Sequence, residues 1–92
     1  MKLTVEFYSG LALRLSKEKA ASIEVGDNAT LRDVSAALAQ KFPAFLGALI
    51  VPETYELVSP HLFNIHGQAV ASLDTKPEEG ERILLLSVTA GG

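Results

Sequence analysis

The chain contains no cysteine and no tryptophan, and its aromatic residues number only four phenylalanines and two tyrosines. Without cysteine there is no disulfide framework, no thiolate metal site and no thiol nucleophile of its own. No apolar run approaches the ~20 residues that a bilayer span requires. A basic patch is missing as well. The eight lysines and arginines are scattered, with a loose group at residues 14–19, and the net charge is −3. That balance argues against a nucleic-acid partner, which calls for a positive stripe or face. Nor is there a Ser-His-Asp set, a glycine-rich phosphate loop or Cys/His metal spacing, so any catalytic group must come from another protein. Met1-Lys2 runs straight into strand-like alternation rather than a signal peptide. The cytoplasm is therefore the expected compartment, with no membrane partner.

What remains is one small domain, 48% hydrophobic, enough for a modest core. Residues 2–8 alternate, with Leu3, Val5 and Phe7 on one face and Lys2, Thr4, Glu6 and Tyr8 on the other. Ser9-Gly10 breaks the run, and residues 11–19 read as a mixed loop with Leu11, Leu13 and Leu15 tucked beneath it. Ala21, Ile23 and Val25 then alternate as a second strand, forming a hairpin with the first. Thr30 opens a helix as its N-cap, with Asp33 three residues on, and Leu31, Val34, Leu38 and Phe42 recur at helical spacing. Pro43 ends it.

Between residues 43 and 60, Phe45, Leu46, Leu49 and Ile50 are spaced for a short second helix, followed by loop or a short strand. Residues 62–66 read as a strand, Gly67-Gln68 as a turn and residues 69–71 as a short return. Lys76-Pro77-Glu78-Glu79-Gly80 is a polar turn, and residues 82–88 form the closing strand. This order fits an α+β domain with one main helix packed across a mixed sheet. The first and last strands would lie parallel at its centre, because a parallel neighbour needs a long crossover and here the whole domain supplies it. Such an arrangement is a β-grasp. Residues 1–88 are expected to form it, leaving residues 89–92 as a flexible tail.

That tail reads Thr89-Ala90-Gly91-Gly92. A paired glycine inside a domain usually marks a turn, but here no chain follows. Its carboxylate sits on backbone without side chains, able to thread a narrow cleft, with nothing to shield the carboxyl carbon from a nucleophile.

Several stretches together carry a resemblance. They are Val5-Glu6-Phe7-Tyr8-Ser9, Thr30-Leu31-Arg32-Asp33-Val34, Ile65-His66-Gly67, Glu79-Gly80-Glu81-Arg82-Ile83 and the terminal Ala90-Gly91-Gly92. In order and spacing the chain resembles the ubiquitin-like sulfur carriers, the MoaD/ThiS-like group of molybdopterin synthase small subunits and thiamin-pathway carriers. The segment 43–60 favours the molybdopterin type or a modifier-like relative, since thiamin-type carriers tend to be shorter. Ser87 and Thr89 replace the proline and valine common in family tails, and His66 replaces a common asparagine.

The resemblance implies a protein that is a substrate rather than an enzyme. A ubiquitin-activating-type adenylyltransferase would use ATP to adenylate Gly92, and sulfur transfer would leave a thiocarboxylate. The large subunit of a molybdopterin synthase, or another sulfur-accepting enzyme, would then take the sulfur. No bound cofactor and no metal are implied, and Thr89, Ala90 and Gly91 would thread the partner's channel. The same terminus would serve a protein modifier joined to target lysines, or a carrier for cysteine, thiamin or thiolated tRNA. A β-grasp binding module with an incidental Gly-Gly is a further alternative.

Tyr8, Leu84 and Leu86 are the expected partner-binding residues. If Ile83 and Leu85 face the helix, these three face away from it, where one helix leaves no cover. The competing possibility is that residues 43–60 fold over them. His61 and His66 lack carboxylate or thiol company and read as turn or surface histidines.

Overall fold

Strand β1 (Lys2–Tyr8) buries Leu3, Val5 and Phe7 and turns Thr4, Glu6 and Tyr8 outward, so its alternation defines two faces of a sheet. The computed structural model describes residues 1–70 and 72–88. The expectations placed on Ala71 and on residues 89–92, the flexible tail included, lie outside that range. Among the described residues, β1, β2 (Ala20–Glu24), β3 (His61–Ile65), β4 (Gln68–Ala69) and β5 (Arg82–Ser87) form one mixed sheet in the order β2-β1-β5-β3-β4. β5 lies parallel to β1 and antiparallel to β3, at the middle of the sheet. The crossover argument is borne out: this is a ubiquitin-like β-grasp.

Between β1 and β2 lies a helix, α1 (Gly10–Ser16), where a loop was expected. Leu11, Leu13 and Leu15 alternate in the sequence, which hid the helical period. Ser9 is its N-cap, its Oγ accepting from the Ala12 backbone N–H at 3.2 Å. Lys17 closes it in the left-handed conformation (φ 60°), its N–H bonded to the Leu13 carbonyl at 2.9 Å. The first two strands are thus antiparallel as expected but are joined through a helix.

The main helix, α2 (Leu31–Lys41), starts and stops where the sequence signals it. Asp33 Oδ2 accepts from the Thr30 backbone N–H at 2.9 Å and from the Thr30 hydroxyl at 3.2 Å. Leu31, Val34 and Leu38 are fully buried against the sheet. After Phe42 the chain makes one 3-10 turn, Pro43–Phe45, and then a run of turns, so the short second helix over Phe45, Leu46, Leu49 and Ile50 does not form. Gly47 at φ 87° and the bonds from the Leu49 and Ile50 N–H groups back to the Phe45 carbonyl shape it instead. Phe45, Leu49 and Ile50 are nonetheless buried, and Leu46 is exposed. Phe45 stacks edge-on against Phe7, with ring centroids 5.7 Å apart, and Phe42 does the same at 5.9 Å. This places Phe45, and with it the start of the segment, on the helix side of the sheet.

The β3–β4 turn is centred one residue earlier than expected, on His66-Gly67, at φ 56° and 77°. Positive φ at both central residues is the type I′ pattern that matches the twist of a two-residue hairpin. Gly67 adopts it freely, and histidine is among the residues that tolerate it.

Candidate functional site

Because Ile83, Leu85 and Phe63 point into the core, their neighbours Leu84, Leu86 and Leu62 emerge on the opposite face. Strand pairing sets them in rows. Tyr8 lies opposite Leu86, which lies opposite Leu62; Glu6 lies opposite Leu84, which lies opposite Asn64. At ~4.8 Å between strands, each row covers ~10 Å. Neither helix packs on this face, since α1 and the turn at Pro43–Phe45 meet the core-facing Phe7 end of the sheet and α2 packs on the core. Tyr8 is 54% exposed, while Leu84, Leu86 and Leu62 screen one another and are half-buried. The three predicted residues therefore meet on one open face. Leu62 belongs with them and was missed, although alternation in β3 places it there.

The row ends beside Val88. Ser87 pairs with His61, and the Val88 N–H donates to the Pro60 carbonyl at 2.9 Å. Val88 itself is 48% exposed. The other predicted site residues, Thr89, Ala90, Gly91 and Gly92, lie beyond the described residues.

Polar groups frame the apolar row. Arg82 donates from Nε and Nη2 to the Glu6 carboxylate, the latter at 3.0 Å, and the Tyr8 hydroxyl donates to Glu6 Oε1 at 2.8 Å. The Arg82 hydrogen bond, then that from Tyr8, holds the Glu6 carboxyl below the usual carboxylate range, and Glu6 in turn raises Arg82. The face thus presents the Tyr8 ring with its hydroxyl already engaged. At the Arg82 end of the face, away from Val88, Asn64, His66, Glu79, Glu81 and Leu84 line a shallow depression. His66 is exposed, its Nε2 3.6 Å from Glu81 Oε1.

His61 departs from the surface role expected of it. It is half-buried, with Nδ1 3.0 Å from the Val58 carbonyl and Nε2 2.7 Å from the Ser9 hydroxyl. Nδ1 donates to the carbonyl, which makes Nε2 the acceptor for Ser9 in the neutral ring. Ser9 is 1% exposed and already caps α1, so the pair ties the start of β3 to α1.

The fold is a ubiquitin-like β-grasp, and several solved structures share it. SAMP1 from Haloferax volcanii superimposes with a TM-score of 0.82 at 21% identity, over 100% of both chains. A putative molybdopterin converting factor subunit 1 from Pyrococcus furiosus gives 0.77 at 18% identity, over 97% of this chain and 99% of that one. A complex of subunits 1 and 2 of molybdopterin-converting factor from Helicobacter pylori contains a chain matching with 0.63 at 20% identity, over 100% of both. No protein-family model matches the sequence, and no curated protein matches it. At these identities the likeness speaks for the fold. Among the described residues no helix is long and apolar enough to cross a membrane.

Proposed function

We propose that the chain is a cytoplasmic sulfur carrier, of the kind that serves molybdopterin synthesis, whose Gly92 carboxylate is the working group. The observation that carries this reading is the apolar row Tyr8–Leu86–Leu62, left open beside the root of a chain that ends Ala90-Gly91-Gly92. A carboxylate is a poor acyl donor because its oxygen leaves badly. In the proposed sequence a carboxylate oxygen of Gly92 attacks the α-phosphorus of ATP on an activating enzyme, and pyrophosphate departs. Hydrosulfide then adds to the acyl carbon, AMP leaves with the C–O electron pair, and loss of the S–H proton leaves a thiocarboxylate. Its sulfur, soft and ionised at neutral pH, attacks the acceptor on a large synthase subunit. Tyr8, Leu84 and Leu86 dock the domain outside the partner's cleft. Thr89, Ala90, Gly91 and Gly92 reach inward, four extended residues spanning ~13–14 Å.

A second reading, a modifier joined through Gly92 to target lysines, draws support from the similarity to SAMP1, small archaeal modifier protein 1. Both readings need the activated terminus. The deciding assay for the shared step is ATP–pyrophosphate exchange with the cognate activating enzyme. Deleting Gly92 shortens the reach by ~3.5 Å and is expected to abolish exchange, since attack tolerates little misplacement. Undiminished exchange by the deletion variant overturns both readings and leaves the binding module. Mass spectrometry of the native protein separates the two: a terminus heavier by the difference between sulfur and oxygen marks the carrier, and branched Gly-Gly adducts on lysines mark the modifier.

A further inference from the structure

We infer that the corner of the domain around α1 steers docking, and that the protein which takes the Gly92 terminus presents carboxylates to it. The inference rests on the reading that a partner takes that terminus. Arg14, Lys17, Lys19 and Lys41 are four of the chain's eight lysines and arginines, and all four are exposed. Topology gathers them at one end. α1 follows Tyr8 directly, and its cap Ser9 bonds His61, which pairs with Ser87 next to Val88. The Lys19 carbonyl accepts the Phe7 N–H at 2.9 Å. Lys41 ends α2, and the following Phe42 packs edge-on against Phe7 at 5.9 Å. Glu18 is the acid among them, while Glu56 lines a cleft beside β3 with Phe63 and Val70. Among the described residues none of the four cations stands in an ion pair.

The other end of the sheet has the opposite sign. Glu24, Asp27, Glu78, Glu79 and Glu81 gather there against Lys2 and Lys76, and Arg82 is already neutralised by Glu6. The seven residues of β1 hold the two ends ~20 Å apart. That is more than twice the Debye length of ~8 Å at physiological salt. A partner approaching from the Val88 side therefore meets the positive corner before it senses the net charge of −3. Helix C-termini favour cations, which accounts for Arg14 and Lys41. Lys19 lies beyond both helices, and Lys17 stands at φ 60°, where glycine is less strained. A lysine kept in that conformation points to a use for its charge. The corner adjoins the Val88 end of the Tyr8–Leu86–Leu62 row, so a protein covering that row reaches it. A polynucleotide fits less well, because its phosphates continue past the corner onto the acidic remainder of the domain.

The test is stopped-flow association of the labelled full-length protein with the cognate activating enzyme over a range of salt. The rate is expected to fall as salt rises, and Lys17→Glu with Lys19→Glu to lower it about tenfold at low salt. In pyrophosphate exchange that variant should keep its kcat and show a raised KM. Lys2→Glu with Lys76→Glu makes the same change in net charge at the other end, and should leave the rate within about twofold. Melting transitions check that both variants are folded. A rate independent of salt, an equal effect of the two pairs, or no association overturns the proposal. So do amide shifts at residues 14–19 with a single-stranded oligonucleotide at physiological salt, because the corner would then belong to nucleic acid. Deleting Gly92 should stop exchange without slowing association, which separates the two readings. Full exchange by the deletion variant removes the role of the terminus and leaves the steering intact, whereas equal rates for the two charge pairs do the reverse.

Discussion

Arg82 on β5 grips Glu6 on β1 although the two are out of step in the ladder, Arg82 standing opposite Thr4 and Glu6 opposite Leu84. The guanidinium reaches diagonally across two parallel strands, and the same carboxylate receives the Tyr8 hydroxyl. One acidic group thus ties the polar end of the outer face to its exposed aromatic. The Glu6 carboxyl is lowered in the folded state. Its contribution is therefore present above the unfolded carboxylate pKa of ~4.3 and is lost as pH falls through the lower folded value. Arg82→Met is expected to move the Glu6 titration, read from its side-chain carboxyl carbon, back towards that ordinary value with the fold retained. An unchanged titration would show that the pair does not persist in solution.

Leu85 and Leu86 are neighbours with opposite fates. Leu85 is fully buried, and Leu86 shares the open row with Tyr8 and Leu62. Leu85→Glu should unfold the protein, since an unpaired buried carboxylate costs several kcal/mol against a total stability of about 5–15 kcal/mol. Leu86→Glu should keep its circular dichroism and melting transition while losing affinity for the activating enzyme. The reverse outcome would mean that the register is displaced by one residue.

Ser9 serves two partners at once, capping α1 through Ala12 and bonding His61. Ser9→Ala is expected to cost about 1–2 kcal/mol in urea denaturation. The loss should appear first as faster amide exchange in α1 and at the start of β3. A variant as stable as the parent, with unaltered exchange, would argue that the cap is dispensable.

His66 occupies a left-handed position. His66→Val should destabilise by ~1–2 kcal/mol, whereas His66→Asn should be neutral or slightly favourable, because asparagine visits this region readily. Equal stabilities for the two variants would contradict the type I′ turn.

Legibility in the sequence followed the strength of each period. β1 declared itself by strict alternation, β5 by its continuous apolar run, and α2 by Thr30, Asp33, the 3.6-residue recurrence and Pro43. The parallel pairing of β1 with β5 followed from chain logic, and with it the face shared by Tyr8, Leu84 and Leu86. α1 was hidden because only Ala12 of its seven residues is fully buried while its three leucines mimic a strand; Ser9 as an N-cap was the available signal. In the segment after Pro43, Phe45, Leu49 and Ile50 have helical spacing because they share one burial site, not because a helix joins them. The Glu6–Arg82 and Ser9–His61 contacts join residues far apart in the chain, which no local pattern reveals.

The central position of β5 also governs when the protein can fold. β1 lacks its inner neighbour until nearly the whole chain has been made, and a ribosome adds only ~5–20 residues per second. A chain broken off before Arg82 leaves one side of β1 and one side of β3 without a partner, with Leu3, Val5, Phe7 and Phe63 unshielded. Such fragments are material for proteases. Synthesis itself thereby acts as an inspection step: the open row of Tyr8, Leu86 and Leu62 exists only in chains long enough to carry β5.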